Sequence, residues 1–369
     1  MRVSGKFSFA ARVATVVLVG IAAPRFAATA HAQYFGRNKV QYESFDFRIL
    51  TTAHFDVYYY PEEETAAQLA GRMAERWYTR LSTILHHELS GRQPLILYAT
   101  QAQFEQTNVV QGLGEGTGGV TESLRRRIVL PTGGTLGDLD HVIGHELTHA
   151  FQYDITGSVG PGAGNAAAAA LPLWFVEGMA EYLSLGPVAP LTAMWMRGAI
   201  QDTARDTLPD FRQLEDPRFF PYRYGQALLA YVGGTYGDDR IGELLRASRR
   251  TRGVDQAIRG VLTLSPDQLV NEWHTATHRE FDSLKATTEL PDRYGPKLVG
   301  VRGKNVGGYN LAPSLSPDGS QMMFFSDRDL FSIDLFLADA RTGKIKRQIT
   351  STALDPHLES LQFLSLIHI

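Results

Sequence analysis

The sequence predicts an α+β protein followed by a short all-β segment, and three observations predict it. Stretches rich in β-branched and aromatic residues dominate between Phe45 and Leu130, helical periodicity takes over from Leu136 to about Leu284, and short turn-bounded strands return after Pro313. With 369 residues and 44% apolar side chains, the chain is long enough for two globular domains at roughly 100–200 residues each. The balance of 39 acidic against 36 basic residues argues for no nucleic-acid partner. The absence of Cys excludes disulfide scaffolds, thiolate-held zinc, iron–sulfur clusters and thiol nucleophiles, so a metal site must use His and carboxylates.

Residues 1–32 read as a signal peptide. Arg2, Lys6 and Arg12 form a positive start, Val13 to Ala23 supplies eleven apolar residues, and Ala30-His31-Ala32 is a cleavage signature that predicts processing before Gln33. Eleven residues are about half of the roughly 20 that span a bilayer, so secretion is expected rather than an anchor, with no stable membrane insertion after cleavage. Loss of four basic residues from the 36 leaves 32 against 39 acids, net −7. Without a Cys for lipid attachment, an exported periplasmic or extracellular protein is expected.

Phe45 to Tyr60 predicts one or two strands that Pro61 ends. From Glu62 to Leu89 the apolar Ala66, Leu69, Met73, Trp77, Leu81 and Ile84 recur at helical steps, with acids in the first turn where the helix dipole favours them. Pro94–Tyr98 and the stretch near Arg127–Leu130 read as strands. Gly112–Gly119 reads as a loop, and it lacks the Lys-Ser/Thr of a phosphate cradle. The helices beyond Leu136 are interrupted at Gly157–Gly164, Pro187–Pro190, Pro209 and Pro217–Pro221. A Pro/Gly-rich linker at 291–312 then separates a domain at 33–290 from a segment at 313–369.

Asp318-Gly319 and Thr342-Gly343 mark turns between short alternating strands in that last segment, the pattern of one β-propeller blade. The S-P-D-G, F-x-S and T-G-K wording between Pro313 and Lys344 resembles repeats of Tol-associated β-propeller proteins. One blade, with the start of another at Asp355–Phe363, makes an incomplete propeller. The chain therefore reads as truncated, and the closing LSLIHI is open to either a native or a non-native origin. A complete propeller implies a protein partner.

The chemistry concentrates at His145-Glu146-Leu147-Thr148-His149. Two His four apart on a helix meet one Zn²⁺, and the Glu between them stands at the same edge. Asp138 is the expected N-cap, Leu139, Ile143, Leu147 and Phe151 the apolar face, and Gly157 the end. A second helix, LPLWFVEGMAEYLSLG, places Glu177 and Glu181 one turn apart, with Trp174, Phe175 and Leu185 available to pack inward. A catalytic zinc takes a third protein ligand and keeps one position open; Glu177 is expected as that ligand, and Glu181 as the acceptor of a ligand ring N–H. His141 lies about 12 Å along the helix from His149 and is expected to cap or to face solvent. His274 and His278 repeat the spacing without a Glu after the first and read as solvated, as do Arg125–Arg127 and Arg249, Arg250 and Arg252.

HExxH followed by an E-G-x-x-E helix resembles the gluzincin metallopeptidases of the thermolysin and aminopeptidase type. The resemblance spans about Phe45 to Phe281 and implies a zincin-like domain, a mixed sheet plus active-site helices. It implies Glu177 as the third zinc ligand and Glu181 as the support for a His. Phe220–Gly237 resembles the aminopeptidase P-Y-x-x-G segment, whose oxyanion-stabilising Tyr maps to Tyr222, with Tyr224 two residues away as its competitor. Two departures stand out. His149 and Glu177 are 28 positions apart, longer than the family spacing, with GAGNAAAAALP filling the excess. G-x-M-E-N is absent, although Gly119-Val120-Thr121-Glu122 occupies a comparable strand.

The expected protein is thus an exported Zn²⁺ metallopeptidase acting on peptide or protein substrates, closer to an endopeptidase than an exopeptidase. Glu146 serves as base and Tyr222 as oxyanion donor, and the edge strand ending near Leu130 pairs with the substrate. A non-catalytic, propeller-based binding protein with a vestigial zinc domain is the rival reading. It predicts a missing catalytic group, whereas Glu146 is present. A closed structural zinc site would need a fourth protein ligand, for which His141 is the near candidate.

Overall fold

The computed structural model describes residues 44–106, 117–123, 125–157, 171–201, 208–251, 253–289, 293–300, 310–328 and 333–351. The chain divides into two units. Of the one formed by Met1–Ser44 and Gln106–Asn108 only Ser44 and Gln106 are described, and every element named below belongs to the other. The signal peptide, the start of the glycine loop at 112–116, the insertion at 158–170, Arg252 and the second blade start at Asp355–Phe363 lie outside the described residues.

β1 (Arg48–Thr51) and β2 (Phe55–Tyr59) pair antiparallel, with Arg48 opposite Tyr59. Pro61 opens a single 3-10 turn, and α1 (Glu64–Leu85) continues from it. This helix is shorter than the expected Glu62–Leu89 because His86 turns into the left-handed region, φ 45°, and closes the last turn. β3 (Gln93–Tyr98) returns parallel to β2, and a short α2 (Gln101–Glu105) follows. β4 (Val120–Glu122) and β5 (Arg127–Pro131) complete a mixed sheet in the order β1-β2-β3-β5-β4. β5, the strand ending near Leu130, is therefore not an edge. Val120, Thr121 and Glu122 pair with Val129, Ile128 and Arg127, so β4 is the outer strand on that side.

Strand alternation sends Phe55, Val57, Leu95, Leu97, Ile128 and Leu130 into the main core beneath the helices. Tyr98 and Val129 point the other way, into a smaller aromatic cluster with Tyr60 and Phe104, backed by Phe45 and Phe47. The helical layer comprises α3 (Leu136–Thr156), α4 (Leu173–Leu185), α5 (Pro190–Gln201), α6 (Pro221–Tyr236), α7 (Asp239–Thr251), α8 (Val254–Val261) and α9 (Pro266–Lys285). The fold class is α+β, as the sequence predicts. Among the described residues no helix is long and apolar enough to cross a membrane.

α3 begins one turn earlier than expected. Thr135 is its N-cap, with its hydroxyl accepting from the Asp138 backbone N–H, while the Asp138 carboxylate accepts from the Thr135 N–H. Asp138 is thus the third residue of a capping box rather than the cap. Gly157, at φ 76°, ends the helix as expected. α4 and α6 cross at Gly178 and Gly225. A Cβ at Gly225 would collide with the Trp174 carbonyl, and one at Gly178 with the Gly225 backbone. Only paired glycines permit this approach.

A second sheet, β6 (Asn310–Leu315), β7 (Gln321–Ser326), β8 (Asp334–Asp339) and β9 (Ile345–Gln348), is an antiparallel meander in chain order. Phe324, Phe336 and Ala338 form its core. Its tight turns carry Gly319 at φ 68° and Gly343 at φ 69°. Asp318 accepts from Ser316 and Ser320, and Asp339 from Arg341 and Thr342, which locks both turns.

Candidate metal centre

Leu139, Ile143, Leu147 and Phe151 bury one stripe of α3 in the main core, and His145, Glu146 and His149 occupy the adjoining stripe, themselves buried. Gly144 lets the helix sit against Trp77, whose ring would stand 2.7 Å from any Cβ there. α4 crosses α3 so that Glu177 reaches the same place. His145 Nε2 and His149 Nε2 are 3.1 Å apart, and Glu177 Oε2 lies 3.2 Å from the first and 3.3 Å from the second. The structure brings together all three residues singled out as metal ligands.

The remaining ring nitrogens fix the tautomers. His145 Nδ1 donates to Glu181 Oε1 at 3.0 Å, and His149 Nδ1 donates to Gln152 Oε1 at 2.8 Å, which turns both Nε2 atoms toward Glu177. Gln152 is itself oriented by donating to the Val176 carbonyl at 2.9 Å. Three ligand atoms therefore converge around a carboxylate, an arrangement in which a divalent cation can take the place of the protons that Glu177 otherwise holds on the imidazoles. Ligands about 2.0–2.1 Å from a tetrahedral Zn²⁺ lie roughly 3.3 Å apart, close to the three separations found here. The donor set fits that ion.

Glu181 sits where expected and does more than support His145. Its Oε1 also accepts from His141 Nε2 at 3.1 Å, and its Oε2 accepts from Arg223 Nη1 at 2.7 Å in a buried ion pair. His141 is therefore part of the Glu181 network, outside the His145–His149–Glu177 triangle, and not simply a solvated residue. The glycine crossing of α4 and α6 seats Arg223 and, beside it, Tyr222.

Tyr222 stacks on His145, with centroids 5.9 Å apart and planes 12° from parallel, and its hydroxyl bonds Glu177. Tyr224 points into the core against Phe219 and Trp195, which separates the two candidates in favour of Tyr222. Tyr153, stacked at 6.3 Å on His149, is a further hydroxyl near the centre that the sequence reading did not single out.

Burial and charge act against one another here. Burial works to lower the His145 pKa, and bonds from Glu177 and Glu181 outweigh it and hold the imidazole above its ordinary range. His149 is likewise raised, burial opposed chiefly by Glu177. Burial works to raise the Glu177 and Glu181 carboxyls, and the neighbouring imidazoles overcome it and hold both well below the usual carboxylate range. Tyr222 is pushed up by burial and the Glu177 charge, and Tyr153 to about 12 by burial and the charges of Glu146 and Glu177. The negative charge that raises these phenols is what a bound divalent cation would balance.

Arg223, Gln152 and Thr121 are site residues without a sequence assignment. Gln152 could have been found, since it lies one turn after His149 on the same helix face. Arg223 and Thr121 act across 42 and 25 positions, with no local signal for their contacts. The remaining candidates lie elsewhere: His274 faces the Pro209 carbonyl, His278 pairs with Asp282, and Arg249 donates to the Ile155 carbonyl. No protein-family model and no curated protein matches the chain.

Proposed function

We propose that the chain is an exported, zinc-dependent metallopeptidase of the gluzincin type. The observation that carries this reading is the triangle of His145, His149 and Glu177 acceptors, with Glu146 beside it on α3. Bound there, Zn²⁺ supplies Lewis acidity, acidifying a water and drawing charge from a carbonyl oxygen. Glu146 takes a proton from the attacking water and delivers it to the departing amine. Tyr222 offers its hydroxyl to the oxyanion, in exchange for the bond it makes to Glu177. Glu181, held by Arg223, keeps His145 turned with Nε2 toward the centre.

Two observations support endopeptidase action. Glu122, the acid placed like that of the missing exopeptidase motif, is engaged by Arg127 at 2.6 Å and is not poised for a free amine. Among the described residues no strand pairs with the outer edge of β4, which can add an extended peptide as a further strand. In the same reading β6–β9 is one blade of a larger propeller that holds a protein partner, and residues 1–32 direct export.

The test is zinc stoichiometry on the full chain together with casein cleavage, with and without a chelator. One zinc per chain and chelator-sensitive cleavage are expected. Glu146→Gln is expected to keep the zinc and lose activity by about 10³-fold. A chain that binds no zinc, or a Glu146→Gln variant with full activity, overturns the reading.

A further inference from the structure

The side chain of Thr121 and the bare Cα of Gly119 have no part in the chemistry above, yet both lie against the base. The Thr121 hydroxyl stands 2.7 Å from Glu146 Oε2 and 2.8 Å from the carbonyl oxygen of the same residue. A hydroxyl has one proton to give, and a carboxylate oxygen is the stronger acceptor. Gly119 shares the strand face of Thr121, two residues away. A Cβ at Gly119 would stand 3.0 Å from Glu146 Cγ, 3.0 Å from Val142 Cγ1 and 3.3 Å from Glu146 Cδ, so a side chain there would press on Glu146 as well as on Val142. Val120, between them, packs into the aromatic cluster on the opposite face of the sheet.

We propose that β4 is the seat of Glu146: Thr121 is a positioning residue that holds Oε2, and Gly119 keeps open the space the side chain needs. This rests on the hydrolase reading. Oε1 is then the oxygen that works. It takes the water proton as the oxygen–carbon bond forms and passes it to the amide nitrogen as the carbon–nitrogen bond breaks. The Thr121 proton stays on its own oxygen throughout. The rival is a purely structural tie, in which the hydroxyl pins β4 to α3 through the Glu146 carbonyl.

Thr121→Val keeps the shape and removes the donor, while Thr121→Ser keeps the donor. In the zinc-loaded chain, Thr121→Val is expected to lower kcat for casein-derived peptides about tenfold, with KM within about twofold and zinc content unchanged, and Thr121→Ser to recover most of the rate. Gly119→Ala is expected to lower kcat in the same way. Loss of zinc along with rate, or failure of Ser to rescue, overturns the proposal.

A second readout needs no activity. Thr121→Val should lower the melting temperature of the wild-type chain by clearly more than that of Glu146→Ala, in which the hydroxyl has only the backbone carbonyl left to bond. A shift of equal size in both backgrounds assigns the hydroxyl to the backbone carbonyl and overturns the proposal. A wild-type chain that holds zinc and cleaves nothing would strike the hydrolase reading, and the melting cycle would still decide the contact.

Discussion

Glu75, on α1, shows how a single residue ties a loop to the fold. Its carboxylate accepts from the Thr52 hydroxyl at 2.6 Å and the His54 backbone N–H at 2.7 Å, and faces His54 Nδ1 at 2.6 Å. His54 in turn stacks on Tyr78 with centroids 3.8 Å apart. Burial works to raise the carboxyl, and the bonds from His54 and Thr52 outweigh it, so its pKa lies below 4.5. A depressed carboxyl stabilises the fold above its unfolded value and loses that contribution as pH falls through the folded one. Urea midpoints of the wild type are therefore expected to fall more steeply below about pH 4.5 than those of Glu75→Gln. Superimposable curves would show that these bonds contribute no pH dependence.

At the scale of elements, what the sequence reveals depends on how local the partner is. The two His and the two Glu are legible because each pair recurs one helical turn apart within its own helix. Thr135 also has a local signature, but Asp138, directly before Leu139 where the buried apolar face begins, carries the same capping chemistry and obscures it. The crossing of α4 and α6 is hidden, since a glycine in E-G-x-x-E and another in P-Y-R-Y-G do not announce that they touch. That contact gives the Gly of the motif its physical reason: it brings Arg223 and Tyr222 over Glu181 and Glu177. Gly225→Ala must push the helices apart or unwind one, at a cost of about 2–3 kcal/mol. It is expected to lower both the unfolding free energy and the zinc affinity; denaturant titration and a competing chelator measure the two. A fully stable, zinc-tight variant would show that the crossing is not what assembles the site.

Over the whole molecule, the α+β order is legible because the apolar period changes along the chain. The strand order is not, because β5 finds β3 and β4 through pairings that no local pattern encodes. The second sheet presents a different problem. Its outer strands β6 and β9 have no further strand beside them among the described residues, and Leu315 on β6 is 63% exposed. Bare edges with apolar side chains recruit other strands. On the proposed hydrolase reading, a chain ending at residue 290 is expected to bind zinc and cleave casein as the full chain does, and to scatter less light on heating. Loss of zinc on shortening would mean that the sheet supports the centre.

The two imidazoles of the centre are backed unequally, which bears on how an ion would leave it. Behind His145 stands a carboxylate clamped by a guanidinium, and behind His149 a neutral amide. A carboxylate makes the ring it backs the firmer electron donor. Escape of the ion should begin at the His149 arm, with His145 the last to let go. Glu181→Gln levels the two arms and is expected to speed zinc release to a coloured chelator roughly tenfold, more than Gln152→Leu does. The opposite ranking would make His145 the arm that opens first. With the expected ranking, how long a loaded chain would keep its ion is governed by a glutamate outside the three-residue triangle.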